Sequence, residues 1–457
     1  MNFSSSQIKL FAIVTGVILV FVLAFAFFLR PGVGEKSDIT LTIWGVGDEQ
    51  GDFQTVFQDF IIYAKQAPQY RGAAINIEYR SWRSDEYETL LLNQLAEGKG
   101  PDIFYIHNTW LPKYHNKLLP LPADQLSLDQ FKEEFVPVTF DDLVYEKKVY
   151  ALPHYVDTLA LYYNTQHYQS GASGSSRPAN TWSALKAQIA AMTSKNGNQL
   201  TRSAIGLGTM KNIKYAVDLI YLQLVQRSGK LCQEVCTAVS VSDNVPFKEA
   251  VNEYTGFSDP NSTYYTWDSN YLKGHENNNI FNDIDAFIRG RVSSVFAYAS
   301  DYQQIKTLGQ ANNLNFAIAE VPQLDAAARD NERITFANYW SMAVSRNSGH
   351  PQLAWDFIKY FTTAPILAKF YEEHPRPVSR EDMINTSTEN PLRVFDRQAK
   401  YAKSVIVYDD ARFTQILSDN IEDIVNKNST LIGALQKMEA ELNKVLAPYA
   451  QLPSSDL

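Results

Sequence analysis

The sequence predicts an α/β body of mostly parallel sheet with flanking helices, preceded by one transmembrane helix. Three observations carry this expectation. From Ile39 to Ile106, β-prone runs alternate with runs of helical period, and strand-helix-strand-helix-strand marks a parallel sheet with helices on its faces. Leu10 to Leu29 contains no charged residue and matches the roughly 20 apolar residues that span a bilayer. Val149 to Asn164 (V-Y-A-L-P-H-Y-V-D-T-L-A-L-Y-Y-N) holds two strand-like runs joined by Pro153 and a polar corner of His154, Tyr155 and Asp157. No Asn-Gly or glycine-rich turn folds it back as a hairpin. It reads either as an extended crossing between two lobes or as two strands with a surface turn.

The elements follow in order. Residues 1–9 carry Lys9 and no acid, so this tail is expected in the cytoplasm, ahead of an anchor at residues 10–29. A cleaved signal peptide is the rival reading. The small-x-small triplet Ala24-Phe25-Ala26 lies inside the apolar run, before Phe27, Phe28 and Leu29, which favours an uncleaved anchor. No cysteine stands directly after the run, so acylation of a cysteine there is excluded. Residues 30–38 form a short linker, with everything after Arg30 outside the cell membrane.

Ile39 to Trp44 reads as a strand, and Gly45 to Gly51 as an acidic loop with Asp48 and Glu49. Phe53, Val56, Phe57, Phe60, Ile61 and Ala64 recur at helical spacing. Ile75 to Tyr79 is the next strand. Tyr87, Leu90, Leu91 and Leu95 mark a helix closed by Gly98 and Gly100, and Ile103 to Ile106 is a third strand. Ligands bind at the carboxyl ends of strands in such sheets. Those ends carry Gly47-Asp48-Glu49 and His107-Asn108-Thr109-Trp110. Further on, Trp182, Leu185, Ile189 and Met192 mark a helix, and Ala216 to Gln223 another. Asn261 to Lys273 gathers Tyr264, Tyr265, Trp267 and Tyr271, either core or the wall of a pocket. Val292 to Tyr298 and Asn315 to Ala319 read as strands. From Pro351 the chain is almost all helical.

At 457 residues, 45% hydrophobic and 20% charged, the chain has room for two or three domains with a large core. A net charge of −9 and the lack of a basic stripe argue against nucleic acid. Aromatic residues reach 13%, enough to fill a core or line a groove. The two cysteines, Cys232 and Cys236, are expected to pair in an exported chain. No set of metal ligands surrounds them.

Several segments together resemble extracellular solute-binding proteins of the sugar-binding, maltose-binding-like type, the capture subunits of ABC importers. They are I-T-L-T-I-W-G at 39–45, G-K-G-P-D-I-F-Y-I at 98–106, K-V-Y-A-L-P at 148–153 with L-Y-Y-N at 161–164, T-W-S-A-L at 181–185, A-F-I-R-G-R-V-S-S-V-F at 286–296, and W-S-M-A-V-S followed by P-Q-L-A-W-D-F-I-K-Y-F within 340–361. The resemblance implies a two-lobed periplasmic-binding-protein-like fold (type II), each lobe a mostly parallel sheet flanked by helices. It places one lobe at 39–153 plus 295–338 and the other at 157–290 plus 342–457, with crossings at 154–157, 292–298 and 338–340. Carried over by position, it implies ligand contacts from Asp48, Glu49, Asn108, Trp110, Tyr155, Asp157, Trp267, Tyr298, Tyr339, Trp340 and Arg376. It also implies a monomer that needs no cofactor and delivers a sugar to permease subunits.

Two other classes compete. A membrane-tethered glycoside hydrolase needs two carboxylates at a set separation, and no pair stands out. No G-x-S-x-G, H-E-x-x-H or phosphate-loop motif is present, so no catalytic residue is expected. An adhesin would not need two lobes with a polar seam. The uncleaved anchor departs from the released or lipid-tethered pattern of the family, which leaves a chemosensory or scavenging role open.

Overall fold

A computed structural model describes residues 38–170, 174–197, 199–232, 236–273, 281–325, 332–384 and 390–449. The expected tail and anchor, and the linker up to residue 37, lie outside the described residues. Among the described residues no helix is long and apolar enough to cross a membrane.

Two hydrophobic cores divide the chain. In the first, strand Ile39–Val46 runs parallel to both Ile75–Trp82 and Ile103–His107. Ile75–Trp82 alternates buried and exposed residues, as an outer strand does. Ile103–His107 is buried throughout, as a strand covered on both faces must be. Helix Gln54–Ala64 turns Val56, Phe57, Phe60 and Ala64 inward. Phe60 meets Phe357 of helix Pro351–Phe361 edge to face at 5.2 Å. Burying each such side chain stabilises by about 1.5–3 kcal/mol. Gly45 must be glycine, because a Cβ there would lie 2.0 Å from the Tyr79 hydroxyl.

In the second core, strand Ala160–Asn164 lies between Ser294–Ala297 and Phe316–Ala319 and runs antiparallel to both. Helices Trp182–Met192, Ala216–Gln226, Val245–Gly256, Asp410–Val425 and Leu431–Leu446 enclose it. Cys232 and Cys236 are joined by a disulfide.

Three expectations are corrected here. The sheet of the second lobe is antiparallel rather than mostly parallel. Its middle strand leaves the hinge, while its neighbours run back toward it. The lobe boundaries also differ. Residues 294–336 pack in the second core, whereas strand Trp340–Ser345 pairs with Ile103–His107 and Ala151–Pro153 of the first. Helix Pro351–Phe361, Leu367 and Phe370 join that first core. The bodies are therefore 39–153 with 340–371, and 160–336 with 392–395 and 405–446. Third, residues 292–298 lie inside the second lobe and are no crossing. The runs at 294–297 and 340–345 are both short, apolar and β-prone, so composition does not say which sheet each completes.

The hinge is three extended segments side by side. Thr158 pairs with Ala337. The Asn338 N–H donates to the Asp157 carbonyl at 3.0 Å, and the Ala337 N–H to the Lys403 carbonyl at 2.9 Å. Val149–Asn164 thus crosses between the lobes: Ala151–Pro153 pairs in one sheet and Ala160–Asn164 in the other.

Candidate ligand-binding seam between the lobes

The ends of Ile39–Val46, Ile103–His107 and Ser294–Ala297 and the start of Trp340–Ser345 converge on the hinge. Each therefore places its neighbouring residues at the seam. The first lobe contributes a wall of rings. Trp340 meets Trp110 at 5.1 Å, His107 at 5.2 Å and Tyr87 at 5.6 Å, all edge-on. Trp110 stacks on Tyr114 at 5.0 Å. Trp340 is half-buried while Trp110 is buried, so Trp340 presents its ring and Trp110 holds it from behind. Trp44 and the half-buried Trp82 pair at 4.8 Å on the same edge. Ring pairs of this kind are each worth about 0.5–1.5 kcal/mol beyond area burial, which fixes the wall before any ligand arrives.

Beside it, Arg376 Nη2 lies 2.7 Å from Asp48 Oδ1, and the Tyr105 hydroxyl donates to Asp48 Oδ2 at 3.2 Å. His154 Nε2 stands 3.5 Å away, too far for a good hydrogen bond. Burial alone would raise the Asp48 carboxyl, but His154 and Arg376 override it and hold it down at about 2. The half-buried Arg376 keeps donors beyond the one on Asp48. Half-buried Tyr155 lies in its field.

The second lobe contributes a polar wall. The Tyr298 hydroxyl donates to Asp218 Oδ2 at 2.7 Å. Tyr215 donates to Asp301 Oδ2 at 2.8 Å, and Lys214 Nζ lies 2.6 Å from Asp301 Oδ1. Asp218 is pushed up to about 7, first by burial and then by the charge of Asp410; Tyr298 and Asn338 pull it back. Asn338 ties the walls together. Its amide oxygen is 2.9 Å from His107 Nε2, and its side chain helps hold the Asp218 carboxyl down.

Trp340, Tyr155, Arg376, Asp48 and Tyr298 therefore stand together at the seam, with Trp110 behind. The other expected residues go elsewhere. Asn108 and Tyr339 both donate to Asp142 Oδ2, and Ser404 of the hinge bonds to its other oxygen. This buried cluster locks the hinge rather than facing a ligand. Asp157 spends its carboxylate on the backbone N–H groups of Thr158, Ala299 and Ser300 at 2.8–2.9 Å. Glu49 is exposed and starts the short helix Gln50–Phe53. Trp267 is wholly buried, and its indole N–H donates to Asn212 at 2.9 Å. It is core, and the expected pocket wall at 261–273 is not formed by it.

Sequence reasoning missed Asp218, His107 and Asn338 as site residues. Asp218 had a readable signal, being one acid in the apolar run Ala216–Gln226. A cavity of about 620 Å³ lies away from the seam, between Tyr302, Lys306, Phe316 and Arg393. It contains none of the expected residues.

A sequence profile described as bacterial extracellular solute-binding protein matches residues 63–392. A maltotriose-binding protein of Pyrococcus abyssi is 26% identical over 103 residues, 22% of this chain and 23% of that protein's length. Among solved structures, the sugar-binding protein MalE of Xanthomonas citri superposes with a TM-score of 0.71 at 18% identity, over 91% of this chain and all of that one. The cyclic α-maltosyl-1,6-maltose binding protein of Arthrobacter globiformis gives 0.69 at 16% identity, over 90% of this chain and all of that one. The structural likeness carries the two-lobed fold, and the profile covers most of the chain. The chain belongs to the bacterial extracellular solute-binding proteins.

Proposed function

We propose that this chain captures a carbohydrate, an oligosaccharide by preference, between its two lobes and hands it to ABC-transporter permease subunits. It does so as a monomer held at the membrane by residues 10–29, with its bulk on the extracytoplasmic side. The observation that carries this is the ring wall of Trp340 and Trp110 standing across the seam from the Tyr298–Asp218 wall. A pyranose has an apolar C–H face that stacks on an aromatic ring, and hydroxyls that seek charge-assisted partners. Trp340 and Tyr155 would take the face, and Arg376, Asp218 and Asn338 the hydroxyls. Closure about the hinge would bury those polar groups against the ligand. The maltotriose-binding relative and the sugar-binding structural neighbours support the same ligand class.

The test is isothermal titration of the full chain in nanodiscs, free of sugar detergents, against linear and cyclic oligosaccharides. Binding at about micromolar Kd without release of shorter products is expected. Product formation would overturn the assignment as a binding protein.

A further inference from the structure

The cavity of about 620 Å³ in the second lobe takes no part in the seam. Strand Phe316–Ala319 runs along it, the outermost of three. Among the described residues that strand pairs on one side only, with Ala160–Asn164. The four consecutive residues Asn315 to Ile318 all line the cavity. Successive side chains of a strand point to opposite faces, so the strand's free edge meets the cavity. Such an edge carries backbone N–H groups that no ladder uses, and they make a concavity suited to anions.

Two cations flank this edge. Lys306 stands on helix Tyr302–Ala311, and half-buried Arg393 opens helix Arg393–Ala399. Both line the cavity, and among the described residues no carboxylate does. Glu320, next after the strand, is taken by Arg333 at 2.6 Å and by Arg397 at 3.2 Å. Lys306 and Arg393 have no ion-pair partner among the described residues. Their places are nevertheless set. Lys306 Nζ lies 5.7 Å from the centre of the Tyr302 ring, which meets Phe316 of the strand edge-on at 6.1 Å. Before Arg393, Asn390 accepts from the Leu392 N–H at 2.9 Å and donates to Asp396 at 3.0 Å, which fixes the turn into the helix.

We propose that this cavity is a second ligand site, one that takes a phosphorylated sugar by its phosphate. The site is independent of what the seam binds. A phosphate monoester carries about two negative charges and presents three acceptor oxygens. It can bridge Lys306 and Arg393 and still accept from the strand edge. Arg393 would grip it with two parallel N–H donors, and Lys306 as a point charge. A carboxylate, with one charge and two oxygens, serves two cations less well. A volume of about 620 Å³ is that of a small-molecule pocket and more than a bare phosphate fills. Gln310 and Asn315 add side-chain amides to the lining, where the sugar hydroxyls would lie.

The test is isothermal titration of the full chain in nanodiscs of neutral lipid, at low ionic strength. The probes are glucose 6-phosphate, glucose, glucuronate and inorganic phosphate. Glucose 6-phosphate is expected to bind about tenfold more tightly than any of the other three. Arg393→Met and Lys306→Met should each weaken it about tenfold, the loss of one charge-assisted hydrogen bond. Equal binding of glucose 6-phosphate and glucose, or binding of neither, overturns the inference and leaves oligosaccharide capture at the seam standing. Inorganic phosphate binding as tightly as glucose 6-phosphate reduces the cavity to a simple anion site, and equally tight glucuronate assigns it to carboxylates. Either result overturns the inference. Binding that survives both substitutions places the phosphate elsewhere and also overturns it.

Discussion

The wall from the first lobe carries its charges in pairs, whereas the wall from the second carries carboxylates that outnumber their partners. Asp48 has Arg376, and Glu88 has Lys113. Across the seam Asp301 has Lys214, but Asp218 has only neutral donors and Asp410 has none among the described residues. Paired charges and stacked rings make a rigid face whose shape is set in the empty protein. Unpaired carboxylates make a face that is completed by what it binds. One wall is thus suited to holding a ring in place, the other to reading its substituents.

The difference can be broken first at Arg376. Asp48 is 3% exposed, and Arg376→Met would leave it with Tyr105 and a distant His154. Removing one partner of a buried pair costs about 3 kcal/mol or more, and urea unfolding should show it. Asp218→Asn on the other wall should cost less than about 1 kcal/mol, because no opposite charge is stranded. The reverse order would mean that the first wall is not held by its ion pair.

The second effect concerns binding. Trp340→Ala removes the presented ring, and an aromatic anchor of this kind is worth about 2 kcal/mol, close to a 30-fold rise in Kd for whichever oligosaccharide binds. Unfolding should change much less, since the ring is only half-buried. Unchanged affinity by titration would place the ligand elsewhere.

These contrasts also show what the sequence made legible. The crossing at Val149–Asn164 could be found because it breaks a local pattern, two β-runs without a turn, whereas Trp340 and Arg376 were reached through the family resemblance, by position. Strand-to-sheet assignment was not legible. Ser294–Ala297 and Trp340–Ser345 are alike as strings, and only long-range pairing separates them. Trp267 misled because an aromatic cluster looks the same whether it faces a ligand or a core. The indole N–H found its acceptor in Asn212, 55 residues away in sequence. Asp157 misled for a similar reason, since its partners are backbone N–H groups at 299–300, which no side-chain pattern reveals.

The smallest effect separates the hinge from the wall. Asp142 in the hinge and Asp218 in the wall are both held up at about 7, burial being the largest cause in each. Asp157, Asp283 and Asp396 are raised for the same reason. An unfolded Asp titrates at about 3.9. Between about pH 4 and pH 7 the native state therefore keeps protons that the unfolded chain has released, and stability falls as pH rises through that window. Asp48 acts in the opposite sense, but only below about pH 4, where its lowered pKa begins to matter. The melting temperature should thus be higher at pH 5 than at pH 8 by about 3 °C or more. Asp142→Asn keeps an acceptor for Tyr339 or Asn108 while removing one titrating group, so it should shrink that difference by about 1 °C. It should leave oligosaccharide affinity where it was, because Asp142 bonds only within the hinge cluster. Asp218→Asn should shrink the same difference and also weaken oligosaccharide binding. If Asp142→Asn also changed oligosaccharide affinity, the hinge and the wall would have to be treated as one electrostatic unit.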